Sequence, residues 1–103
     1  MYSNEALTKL ENLVEVLFEN EFFGFKESAY NYVYSIFDYI ESNINNSSYK
    51  ELPLKLKKYG NYYITHFINP RTTWYILFDF NNNTYNITFI FNNHEKFAQY
   101  LDL

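Results

Sequence analysis

The stretch that decides the fold runs from Tyr62 to Phe91 and reads YYITHFINP RTTWYILFDF NNNTYNITFIF. It is rich in aromatic and β-branched residues, which are typical of strands, and two polar breaks divide it into three segments. Asn69-Pro70 predicts a turn, and Asn81-Asn82-Asn83 predicts a hairpin because Asn tolerates the left-handed backbone conformation. We therefore expect an antiparallel meander with strands at residues 62–68, 72–80 and 85–91.

The last of these segments alternates along its length, so its residues divide between two faces. We expect one face to carry Tyr85, Ile87, Phe89 and Phe91, and the other to carry Asn86, Thr88 and Ile90. Asn92-Asn93 then predicts the start of a short final helix, whose apolar face is Phe97, Ala98 and Leu101.

Two amphipathic helices precede the strands. Residues 4–20 repeat apolar side chains at the helical period after Ser3, a plausible N-cap, and a second such stripe runs from Lys26 to Asn43. Asn20 to Gly24 interrupts the pattern, and Phe22 and Phe23 could plug the end of the resulting hairpin. Because the connection is short, we expect the two helices to be antiparallel.

The segment from Tyr49 to Asn61 has no clean period. Leu52, Leu54 and Leu56 alternate with Pro53, Lys55 and Lys57, which predicts a short extended piece with basic side chains pointing outward. Taken together, the sequence predicts one α+β domain over residues 1–103. An N-terminal antiparallel helical hairpin packs on a three- to four-stranded antiparallel sheet, and a short C-terminal helix follows.

The charge changes sign along the chain. The formal net charge is -4, and it divides into -6 over residues 1–49 and +2 over residues 50–103. Five of the eight bases lie between Lys50 and Arg71, so an anion-facing surface is expected there, unless the segment is only a solvated loop. No leader and no stretch of about 20 apolar residues is present, which predicts a soluble, cytoplasmic protein without membrane contact.

The composition limits the available chemistry. With no cysteine there is no disulfide and no thiolate nucleophile, and no carboxylate–histidine cluster has ligand spacing, so neither metal nor cofactor is expected. The chain is 23% aromatic, which codon bias explains more readily than selection for a stacking surface does. The aromatic residues therefore have to be judged position by position.

A few residues remain as candidates for chemistry. His94 follows a strand at a predicted corner, where an imidazole could exchange protons or contact phosphate, whereas His66 within a strand is more typical of packing. Arg71, the only arginine, suits phosphate recognition, although a salt bridge to Asp79 or Glu95 is the commoner use. Tyr75 could donate a proton or stack on a base, or be an ordinary half-buried strand residue.

Several short strings resemble the RelE/ParE superfamily of type II toxin–antitoxin toxins, and the resemblance covers nearly the whole chain. The strings are Tyr2-Ser3-x-Glu5-Ala6-x-x-x-Leu10, Lys58-Tyr59-Gly60-Asn61-Tyr62-Tyr63, Arg71-Thr72-Thr73-Trp74-Tyr75-Ile76-Leu77-Phe78 and Tyr85-x-Ile87-x-Phe89-Ile90-x-Asn92-Asn93-His94. The last is similar to what Bacteroidetes-type members carry. Members usually place a strand before the helical hairpin, and here only Met1 and Tyr2 precede Ser3.

The resemblance implies a small toxin that a cognate antitoxin wraps and silences. Members either cut mRNA on the ribosome without metal or inhibit DNA gyrase by binding. The implied catalytic residues are Arg71 for phosphate charge, with Tyr75 and His94 for proton transfer. The implied nucleic-acid or target contacts are Lys55, Lys57, Lys58, Trp74 and Asn93.

A second interpretation is a non-enzymatic interaction module, either a degenerate toxin fold or an unrelated small adaptor. It rests on the acidic helical hairpin and on the scarcity of bases along the strands. The sequence leaves the oligomeric state open under both interpretations.

Overall fold

A four-stranded antiparallel sheet forms the centre of the protein, in a computed structural model that describes residues 1–19, 26–45 and 48–101. The strands follow one another across the sheet in chain order: β1 Lys50–Glu51, β2 Tyr62–Asn69, β3 Thr72–Asn81 and β4 Thr84–Asn92. The predicted hairpin between β3 and β4 is confirmed, since Asn82 and Asn83 adopt φ angles of 51° and 59°. The predicted meander is therefore present, with one short strand added at its edge.

Two helices cover one face of this sheet, as the sequence predicts. Helix α1 spans Asn4–Glu19 and helix α2 spans Lys26–Asn43. The predicted N-cap is confirmed, because the Ser3 hydroxyl accepts a hydrogen bond from the Ala6 amide at 3.0 Å. The proposed plug by Phe22 and Phe23 lies outside the described residues. No helix in the described ranges is long and apolar enough to cross a membrane.

The apolar stripes of α1 and α2 form one core with the sheet. This helix-side core consists of buried residues from the two helices and from the helix-facing positions of the strands: Ala6, Leu10, Ala29, Val33, Ile36, Ile40, Ile44, Ile64, Trp74, Ile76, Phe78, Ile87 and Ile90. Burial of this apolar surface is the main force that fixes the helices to the strands.

A second core lies on the other face of the sheet, which the sequence does not predict. It consists of Leu52, Leu56, Tyr63, Leu77, Phe91, Ala98 and Leu101. Two 3-10 helices supply its cover, one at Leu54–Tyr59 and one at Lys96–Tyr100. Below, they are called the basic 3-10 helix and the C-terminal 3-10 helix.

The prediction of an extended piece at Leu52–Leu56 is wrong. Pro53 sets the first turn of the basic 3-10 helix, where the Leu56 amide donates to the Pro53 carbonyl at 2.9 Å. Leu56 therefore turns inward while Leu54 stays 88% exposed, so alternation of leucines does not mark a strand here. The basic side chains do point outward, as expected: Lys55, Lys57 and Lys58 are all exposed.

The predicted final helix is a 3-10 helix rather than an α-helix, and it does not begin at Asn92-Asn93. Its first residue is Lys96, with Glu95 in the capping position and no side-chain cap. The two asparagines are instead used in hydrogen bonds at the end of β4, so they are not available to start a helix.

The predicted division of β4 into two faces is also wrong, because a bulge interrupts the strand. Phe89 pairs with Leu77, but the next partner of β3, Phe78, pairs with Ile87, so Thr88 is an extra residue. Beyond this point the faces exchange. Tyr85 and Ile87 pack with the helices, whereas Phe89 and Phe91 belong to the opposite face.

Gly60 fits closely against this bulge. A Cβ atom at residue 60 would lie 2.7 Å from the Thr88 Oγ1 atom, which itself donates to the Leu77 carbonyl at 3.2 Å. We expect Gly60→Ala to lower the free energy of unfolding by about 1–3 kcal/mol, because the added methyl overpacks the site. Urea unfolding would measure the change.

The matched control is the same substitution in a Thr88→Ala background, which removes the obstructing hydroxyl. There the cost of Gly60→Ala should be clearly smaller, which a double-mutant cycle detects. Equal costs in the two backgrounds would show that Thr88 is not what excludes a side chain at residue 60.

His66 packs within the sheet, as its strand position suggests. Its ring stacks on Tyr39 of α2, with centroids 4.0 Å apart and planes 19° from parallel. Burial lowers the pKa of the His66 imidazole from its usual value of 6.5, since the charged form is poorly solvated. The unfolded chain therefore binds this proton more readily than the folded protein does.

This difference predicts that His66 makes the protein less stable as the pH falls below about 6.5, with stability regained above that value. The matched variant His66→Phe keeps an aromatic ring beside Tyr39 but does not titrate. Urea unfolding at pH 7.5 and 5.5 should show a larger loss of stability for the wild type than for the variant. Identical losses would contradict the assignment.

Candidate functional site

The start of β3 and the end of β4 meet at an exposed corner that holds three of the candidate residues. The Asn93 amide donates to the Thr73 carbonyl at 3.0 Å, and the Asn93 Oδ1 atom accepts from the Thr73 amide at 3.0 Å. Its Nδ2 atom donates to the Arg71 carbonyl at 3.1 Å. The Asn93 side chain thus continues the hydrogen-bonding pattern of the sheet past the end of β4 and fixes the backbone of Arg71.

His94 sits on this corner, directly after Asn93. Its Nε2 atom lies 3.3 Å from the Thr72 Oγ1 atom, and its backbone amide donates to the Asn92 Oδ1 atom at 2.8 Å. The turn at Asn92 therefore aims the imidazole toward Thr72, the residue next to Arg71. We call Arg71, Thr72, Asn93 and His94 the Arg71 corner.

The charged groups of the corner remain available to solvent. Arg71 and His94 are both exposed, and among the described residues Lys9 and Glu95 form the one ion pair. The alternative use of Arg71, a salt bridge to Asp79 or Glu95, is therefore not present. The Arg71 guanidinium is a permanent positive charge on the residue next to Thr72, whose hydroxyl contacts the exposed His94 imidazole.

Glu95 instead ties the corner to the first helix. One of its carboxylate oxygens pairs with the Lys9 ammonium of α1, and the other accepts the Asn92 amide at 3.0 Å. The turn that carries His94 is therefore anchored at both ends. No sequence pattern assigns this role to Lys9, since Lys9 and Glu95 are 86 positions apart.

Tyr75 does not join the Arg71 corner. It lies half-buried on the face opposite the helices, where its ring stacks on Phe91 with centroids 5.2 Å apart. It is four residues into β3 from Arg71, which places it about 13 Å away along the strand. It lines a shallow cavity of about 290 Å³ together with Tyr63 and Phe67, and burial raises the pKa of the Tyr63 hydroxyl.

The three lysines also lie away from the corner. They project from the basic 3-10 helix, whose Tyr59 stacks on Phe89 with centroids 4.8 Å apart. Phe89 pairs with Leu77, six residues along β3 from Arg71, a separation of about 20 Å. The lysines and the Arg71 corner are thus two separate surfaces. Among the described residues, no cluster of three acidic or histidine side chains could hold a metal ion.

Trp74 is placed in the helix-side core rather than on the surface. Only 1% of it is exposed, and its Nε1 atom donates to the Tyr32 hydroxyl at 3.1 Å. The strand alternation explains this position, because Trp74 and Tyr75 must point to opposite faces of β3. Trp74 is therefore too buried to contact a ligand at the protein surface.

We expect the fluorescence of Trp74, the only tryptophan, to report on the core. Iodide should quench it far less than it quenches free tryptophan, and quenching should become efficient only on unfolding in urea. The Trp74→Phe variant provides the background signal from the tyrosines. Strong quenching of the folded protein would contradict the burial of this side chain.

Comparison with known proteins adds no further assignment. No family model matches the chain, and neither a curated protein nor a solved structure matches it.

Proposed function

We propose that the protein is a RelE/ParE-like toxin, silenced by a cognate antitoxin, whose Arg71 corner cuts mRNA on the ribosome. The observation that carries the proposal is that the exposed imidazole of His94, on its turn after β4, lies at the same corner of the sheet as Arg71, a permanent cation. The hydrogen bonds of Asn93 and Glu95 hold that turn in place. Phosphodiester cleavage needs both groups, one to offset charge and one to move a proton.

The order of the elements also supports the proposal. A pair of helices precedes a meander of strands, as the resemblance implies. Residues 1–3 run parallel to β4: the Ser3 amide donates to the Ile87 carbonyl and the Ile87 amide to the Met1 carbonyl, each at 2.7 Å. This short pairing lies before the helices, in the position where members of the family usually have their first strand.

The chemistry follows from the two side chains. His94 would accept the proton of a ribose 2′-hydroxyl, whose oxygen then attacks the adjacent phosphorus, and Arg71 would offset the charge that builds on the phosphate. The bond from phosphorus to the 5′-oxygen breaks, that oxygen takes a proton from water, and the His94 imidazolium gives its proton to the hydroxide that remains. Tyr75 has no part in this scheme because it lies too far along β3.

The proposal predicts that inducible expression of the protein arrests bacterial growth and that co-expression of the antitoxin relieves the arrest. Arg71→Ala and His94→Ala should each lower cleavage of ribosome-bound mRNA by about 100-fold or more, since each removes a group that acts on the phosphate. Lys50→Ala, which removes an exposed cation outside the corner, is the matched control and should retain toxicity. A wild-type protein without effect on growth would refute the toxin assignment.

A second candidate function is binding without catalysis, either as an inhibitor of DNA gyrase or as an interaction module. The net charge of -4 with a single arginine favours it, because phosphate contacts dominate the affinity for nucleic acids. Growth arrest that persists in both corner variants, without mRNA cleavage, would identify a binding mode. If the protein neither arrests growth nor cleaves mRNA, the interaction module is the candidate function that remains.

A further inference from the structure

A groove lies between the two 3-10 helices, on the face of the sheet away from α1 and α2. Its volume is about 440 Å³, within the range of small-molecule sites. Its lining consists of lysines, aromatic rings and one leucine: Lys55, Leu56, Lys58, Tyr59, Phe97 and Tyr100. We call it the lysine groove.

Among the described residues, the lysine groove carries positive charge and no negative charge. The Lys55 ammonium lies 5.2 Å from the centre of the Tyr100 ring, and the Lys58 ammonium lies 5.2 Å from the centre of the Tyr59 ring. No carboxylate is among the lining residues, and neither lysine has an ion-pair partner in the described part of the chain. Two like charges at one groove favour the binding of an anion.

The aromatic lining differs between the two sides of the groove. Tyr59 is held rigidly, because it stacks on Phe89 and meets the edge of Phe97, with ring centres 4.8 and 5.6 Å apart. Tyr100 is 38% exposed and has no ring neighbour among the described residues. The fixed ring of Tyr59 beside the exposed ring of Tyr100 suits a planar, aromatic ligand.

We propose that the lysine groove binds a nucleotide, with its phosphate between Lys55 and Lys58 and its base against Tyr100. A nucleotide carries both features that the groove complements, an anionic group and a flat ring. It could be a free nucleotide or one unit of a single-stranded nucleic acid, which share this chemistry. The proposal stands independently of the function of the Arg71 corner, because no residue of the corner lines the groove.

The test is a titration of the full-length protein, labelled with ¹⁵N and followed by NMR, with three probes: AMP, hexa-adenylate RNA and inorganic phosphate. AMP should shift amide signals of residues 54–60 and 96–101, and it should bind more tightly than phosphate because the base adds stacking. Tighter binding of the hexanucleotide than of AMP identifies a single strand as the source, whereas equal affinities identify the free nucleotide. Absence of shifts in both segments with all probes overturns the proposal.

Variants separate the two parts of the site. The double variant Lys55→Gln/Lys58→Gln should weaken AMP binding by about tenfold or more, since charged hydrogen bonds to phosphate are lost. Tyr100→Leu should abolish the preference for AMP over phosphate. Lys50→Gln, an exposed lysine outside the groove, should bind AMP as the wild type does. Unchanged affinity in the double variant, or phosphate binding as tight as AMP binding, would refute the nucleotide assignment.

Failure of this test leaves the proposed toxin function untouched, and the reverse also holds. Binding of AMP should survive Arg71→Ala and His94→Ala, because neither residue lines the groove. Thermal unfolding of each groove variant should match the wild type, since Lys55, Lys58 and Tyr100 are exposed. A loss of binding in the corner variants would contradict the separation of the two sites.

Discussion

Strand β3 is buried on both faces, and the rest of the structure follows from the need to cover both. Trp74, Ile76 and Phe78 face the helices, and Leu77 faces the other side of the sheet. Uncovered, either row of side chains would expose a large apolar surface to water. Helices α1 and α2 cover the first row, and the two 3-10 helices cover the second. The two functional surfaces proposed above lie where these covering layers end or leave a gap.

The parts of the fold that the sequence predicts are those with a local cause. The helical stripes follow from the period of the apolar residues, and the β3–β4 hairpin follows from the backbone freedom of Asn82 and Asn83. The bulge at Thr88 packs against Gly60, which is distant along the chain, so no local pattern indicates it. The second core has no local signal for a related reason, because Leu52 and Leu56 are buried by residues distant along the chain, among them Leu77 and Phe91.

The candidate site shows the same limit. The sequence places Arg71, Asn93 and His94 near strand ends, and the structure brings these three together because β3 and β4 are neighbours. Trp74 and Tyr75 cannot share one binding surface, since adjacent residues of a strand point to opposite faces. The sequence also does not give the distance between the lysines and Arg71, because that distance depends on where the basic 3-10 helix packs along β3.

One contact at the edge of the sheet has a consequence for the behaviour of the protein at high concentration. Strand β1 pairs only with Tyr62 and Tyr63, so β2 has no neighbour on that side from Ile64 onward among the described residues. The uncharged run from Ile64 to Ile68 would suit pairing with another chain. The Tyr39 hydroxyl donates to the Thr65 carbonyl at 2.6 Å, which occupies an acceptor in the middle of that run. A tyrosine on a helix thus removes one acceptor from the open edge of β2, which opposes pairing with a second chain at this point.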